Sequence, residues 1–115
     1  MRIHVGCCLA TVVFAFSVLG VTASSAASAE AGKAAFAKSG CWQCHGTVGQ
    51  GGIAGPKLAP EPLPLEAFSA FVRTTNRQMP PFNENVLSNE DLGNIHEYLK
   101  SIRPGPDYKT IPELR

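Results

Sequence analysis

Cys41-Trp42-Gln43-Cys44-His45 sets two thiols three residues apart and puts an imidazole directly after the second. Two thiols at that spacing can each add to one of the two vinyl groups along one porphyrin edge, and the adjacent histidine is then held beneath the iron. C-x-x-C-H is therefore the arrangement of covalent haem attachment. Three other uses of the pair compete with it. A redox-active dithiol belongs with a βαβ pattern, and the sequence has none. A structural zinc needs four ligands, whereas the next imidazole, His96, is distant and matches no common zinc spacing. A disulfide across a two-residue spacer closes a tight, strained ring and leaves His45 without a role.

An iron that only passes electrons is served by a second axial ligand, and methionine paired with histidine raises its potential. Apart from Met1, Met79 is the only methionine in the chain. It sits in Arg77-Gln78-Met79-Pro80-Pro81-Phe82, where two prolines with fixed φ stiffen the backbone that would carry the thioether. Two alternatives stay open. A lone methionine is more often core filler, and His96, at the edge of an apolar helical stripe, is another possible ligand.

These residues need elements to position them, and the sequence supplies helical ones. Residues 30–39 are rich in Ala and Lys, good helix formers, and Gly40 stands where a helix C-terminus is closed. From Gly46 to Pro64 the chain is dense in glycine and proline, which predicts a long irregular loop of the kind that encloses something. Gly49, Gly51 and Ala54 in it satisfy a literal G-x-G-x-x-A, but no strand precedes them to make a dinucleotide site. Leu65, Phe68, Phe71, Val72 and Thr75 fall at helical spacing with Glu66, Ser69 and Arg73 facing away, which predicts an amphipathic helix ending before Met79. A last helix is expected to start at Ser88 as N-cap, with Leu92, Ile95, Leu99 and Ile102 on one stripe, and to stop before Pro104-Gly105-Pro106. No segment alternates like a strand, so the fold class is all-α.

The N-terminus carries a different message. Met1-Arg2, an apolar run from Ile3 to Val21 and a small-residue stretch ending Ala27-Ser28-Ala29 read as a secretory signal peptide cleaved near Ala29. The expected domain is 30–115, located in the periplasm, and the protein would meet the membrane only if the leader were kept as an anchor. Cys7 lacks the preceding apolar run of a lipoprotein signal. Losing the leader removes Cys7 and Cys8 and one base, Arg2, so that nine Lys/Arg face nine Asp/Glu. That balance offers no polybasic surface and implies no nucleic-acid partner. A domain this small rarely buries enough core without a disulfide, metal or cofactor, and a covalent haem would fill that need.

Together these residues resemble the class I c-type cytochrome family, the small bacterial monohaem cytochromes c, over nearly all of 30–115. The resemblance implies a cytochrome c fold of three to four short helices wrapped around one haem c attached through Cys41 and Cys44. It implies a cofactor site of Cys41, Cys44, His45, Met79 and Pro56, with His45 and Met79 on the iron and no catalytic residue. Gly32 and Phe36 match the family's first-helix positions that cross the last helix, here facing Tyr98 and Leu99. Gly55-Pro56 matches its loop Gly-Pro, whose proline carbonyl accepts a hydrogen bond from the ligand histidine and tunes it. The span between His45 and Met79 is short for the family, which leaves the haem propionates undefined; Arg73 and Arg77 are the candidates, by forked pairing. The implied activity is that of a monomeric periplasmic electron carrier, not an enzyme, cycling iron between ferrous and ferric with periplasmic redox proteins as partners. A cytochrome subunit of a dehydrogenase or oxidase complex is the alternative, which the near-neutral charge favours slightly; a haem-based ligand sensor is a third.

Overall fold

The first helix begins where its cap allows. A computed structural model of the protein describes residues 27–115, so nearly all of the expected leader lies outside the described residues. Helix α1 spans Ala29–Lys38, and the Ser28 hydroxyl accepts the Ala31 N–H at its open end. That side chain satisfies one of the helix's orphan donors. Gly40, with φ of 75°, follows the last turn, and the single-turn helix α2, Trp42–His45, comes directly after it.

Helix α3 spans Leu65–Thr74 and helix α4 spans Asn89–Ser101. The Ser88 hydroxyl accepts the Asp91 N–H at 3.0 Å, so the expected N-cap is in place. Ile102, expected on the α4 stripe, is the capping residue just past the helix. Beyond it the chain makes two short 3-10 turns, Tyr108–Thr110 and Pro112–Leu114. The described residues are helical, with no strand, and include no helix long and apolar enough to cross a membrane.

The frame is the packing of α1 on α4. A Cβ on Gly32 would run into the Asn94 carbonyl and approach the Tyr98 Cβ to 2.8 Å, so only glycine lets the two backbones meet here. Phe36 and Tyr98 stack at a tilt with ring centroids 5.6 Å apart. Leu99, fully buried, and Ile95 complete the contact. The Ser28 N–H also donates to Asn94 Oδ1 at 2.7 Å and ties the head of α1 to the middle of α4.

Three sequence expectations are corrected. Arg73 does not face away from the fold; it turns back to bond the chain between α3 and α4. On the same helix Phe68 and Val72 are buried, whereas Leu65 and Phe71 are each 46% exposed. His96 is not a half-exposed edge residue but a buried one, with Nε2 2.9 Å from the Leu63 carbonyl. There it anchors the long loop to α4.

Candidate functional site

The buried side chains form the back of a cavity rather than a filled centre. It has a volume of about 1070 Å³, at the upper end of ligand pockets generally. Phe36, Phe68, Val72, Leu92 and Ile95 supply apolar walls from α1, α3 and α4. Cys41 just ahead of α2 and Cys44 and His45 within it line the cavity, and Met79, Pro80 and Phe82 line it from the chain between α3 and α4. Apolar walls with a cluster of sulfur and imidazole at the edge suit a flat, largely apolar group that is bound covalently and through a metal.

The local fold explains how α2 presents its three groups. Cys41 N–H donates to the Phe36 carbonyl and His45 N–H to the Cys41 carbonyl, so the turn hangs directly from the end of α1. Cys44 is exposed, Cys41 half-buried and His45 buried. Both thiols are free. Burial pushes the Cys41 thiol above its ordinary pKa, against a smaller lowering by a backbone hydrogen bond. A reactive dithiol needs a thiol pushed the other way, so the redox-active reading loses ground.

His45 is oriented by the loop that follows it. Its Nδ1 lies 2.8 Å from the Pro56 carbonyl oxygen. A carbonyl only accepts, so Nδ1 carries the proton, which leaves Nε2 as the nitrogen that can offer a lone pair to a metal. The approach is close enough to exclude a side chain at Gly55, whose Cβ would stand 2.9 Å from the Cys44 carbonyl and 3.0 Å from His45 Nδ1. The loop is itself pinned, since Leu58 and Ala59 N–H both donate to the Gly49 carbonyl.

Cys41, Cys44, His45, Pro56 and Met79 thus all border one cavity. His96 does not, and its Nε2 is engaged by the Leu63 carbonyl, which removes it as a competing ligand. Among the described residues no group of three or more His, Cys, Asp and Glu side chains is arranged to hold a metal ion. Of the two arginines singled out for a propionate, Arg77 borders the cavity and Arg73 does not, because its guanidinium is taken up by main-chain carbonyls. Lys57 and Gln78 also reach the rim. Neither carried a sequence signal, since an exposed polar residue in a loop looks the same whether or not a cavity lies beside it.

The chain is similar to known proteins over the same region. The family described as cytochrome C oxidase, cbb3-type, subunit III matches residues 27–99. Cytochrome c-555 of Methylococcus capsulatus is 30% identical over 110 aligned residues, which cover 89% of this chain and 86% of that protein. No solved structure matches.

Proposed function

Since the chain belongs to the c-type cytochrome family and so carries haem c on Cys41 and Cys44, we propose that it is a periplasmic electron carrier with iron held by His45 and Met79. The observation that carries this reading is the pairing of His45, its Nε2 left free by the Pro56 carbonyl, with Met79 on the border of one apolar cavity.

Bound haem supplies a one-electron couple, and the chain's part is to hold its ligands and surroundings constant while charge comes and goes. Pro56 accepts the Nδ1 proton of His45, fixing the ring and making Nε2 a better donor. Met79 gives a neutral sulfur that favours the ferrous state. Phe68, Val72, Leu92 and Ile95 keep water from the buried side, which lessens the solvent rearrangement that each transfer entails. With Cys41 and Cys44 taken up by haem attachment and His45 and Met79 by iron, the partner in this reading is another redox protein.

The ferric optical spectrum tests the ligand set. The weak sulfur-to-iron charge-transfer band is expected in the native holoprotein and should vanish in Met79→Ala. If it is missing from the native protein, or survives the substitution, Met79 is not the ligand. Ready carbon monoxide binding by the reduced native protein would instead point to a ligand sensor.

A second reading, a cytochrome subunit of a larger oxidoreductase, draws support from the oxidase subunit family that matches and from the exposed Tyr108 and Leu114 of the C-terminal turns. Size-exclusion of native periplasm with haem staining separates the two. The carrier elutes at monomer size, and a haem band found only at high mass would make it a subunit.

A further inference from the structure

Met79 lies in the segment 75–88 between α3 and α4, and few bonds join that segment to the helices beside it. Most are internal: the Asn83 carbonyl accepts from Val86 and Leu87 N–H, and Asn83 Oδ1 accepts from Asn85 and Val86 N–H. Apart from the capping bonds at its two ends, Thr75 N–H to the Phe71 carbonyl and the Asp91 and Leu92 N–H groups to Ser88, one main-chain bond crosses to α3, from Phe82 N–H to the Val72 carbonyl at 3.0 Å. The others come from a single side chain. Arg73, in the last turn of α3, donates through Nη1 to the Phe82 and Leu87 carbonyls, each at 2.7 Å, and through Nη2 to Asn89 Oδ1 at 2.7 Å.

We propose that Arg73 is a positioning residue for the Met79 sulfur, setting how firmly it stays on the iron; this rests on Met79 being the ligand. The guanidinium is planar, always charged and forked. Here it reaches the segment on the Met79 side of Asn83, at Phe82, the segment's far end at Leu87, and the first residue of α4. Both residues whose carbonyls it holds turn their side chains to the cavity, so Arg73 braces the wall from outside. No carboxylate pairs with Arg73 among the described residues, so the whole charge is spent on neutral acceptors, in charge-assisted bonds stronger than their neutral counterparts. A ligand as weak as a thioether excludes outside competitors only if its backbone is kept from swinging away. The apparent affinity of a competitor scales with the fraction of molecules in which the sulfur has left.

The experiment is imidazole titration of the ferric holoproteins, followed through the sulfur-to-iron band. Arg73→Met keeps the aliphatic stem and removes every donor; Arg73→Lys keeps the charge but not the fork. Both are expected to bind imidazole about tenfold or more tightly than the native protein, with helical circular dichroism retained. Lys100→Ala, which removes the exposed ion pair with Glu97 near the end of α4, should leave imidazole affinity as it is in the native protein. If the band depends on Met79 but both Arg73 variants bind imidazole within about twofold of the native protein, the brace is overturned while the ligand assignment stands. A band that Met79→Ala leaves untouched overturns both.

Discussion

At the scale of single residues the site depends on what is kept out as much as on what is present. Gly55 shows this: a methyl group there would press on the Cys44 carbonyl and on His45 Nδ1. Gly55→Ala is therefore expected to lengthen or break the bond to Pro56 and to lower the donor strength of Nε2. Since that donor favours the ferric state, the reduction potential should rise, and a redox titration of the holoprotein would read the change; an unaltered potential would mean that the loop shifts without moving the ring. Tyr98 makes a second residue-scale prediction. Burial raises its hydroxyl above the ordinary tyrosine pKa, so the folded state holds that proton more tightly than the unfolded chain does. Its share of stability is intact below about pH 10 and declines as pH climbs through that value and beyond. Tyr98→Phe should flatten this alkaline decline, as measured by guanidinium unfolding midpoints on either side of it. At this scale the sequence was most readable where spacing alone encodes chemistry, as in Cys41 to His45. Arg73 was misread because an arginine at the outer position of a helical stripe looks like any solvated charge, and its partners are main-chain carbonyls, which no side-chain pattern reveals.

At the scale of elements, the α1–α4 crossing and the two serine caps decide where the site's helices stand. Gly32→Ala would drive a methyl group into the Asn94 carbonyl and should cost about 3 kcal/mol, the upper end for overpacking, because backbone on both sides has to move. Thermal unfolding of the holoprotein checks the value. Ser28 does two jobs, capping α1 and bonding Asn94. A chain starting at Glu30, as processing after Ala29 would produce, should be about 1 kcal/mol or more less stable than one starting at Ser28. Intact-mass analysis of exported protein, with unfolding of the two chains, would tell which form is made. The helices themselves were legible from apolar periodicity and from Ser88. The burial of His96 was not, because the Leu63 carbonyl that holds it comes from the irregular loop, thirty-three residues away, and proline-rich sequence says that a chain turns without saying where it goes.

At the scale of the whole molecule, the buried side chains are arranged around a space instead of filling one. Interiors are normally packed as densely as organic crystals, and a chain this short has little apolar surface to spare. Cys41→Ala/Cys44→Ala, which cannot take haem covalently, should accordingly be largely unfolded at room temperature. Weak far-ultraviolet helicity and broad amide proton resonances would show it, whereas a cooperative melt close to that of the holoprotein would contradict it. The all-α class could be read ahead of the structure. The cavity was legible only as a need, from the short chain and the enclosing 46–64 loop; which side chains wall it was not, because they come from three helices distant in sequence.

The three groups of α2 also settle an order of events. Two attachment points and the proposed iron ligand His45 fall within a single turn, so a chain with no tertiary structure already presents them together, and loading can take place on an unfolded polypeptide. Met79 arrives from thirty-four residues beyond His45, and closing a loop of that length waits on the packing of α3 and α4. With Met79 as the proposed ligand, sulfur ligation becomes the last step of maturation and its optical band a clock for the end of folding: a pulse of haem attachment should precede the band, with the interval between them set by how fast the helices dock.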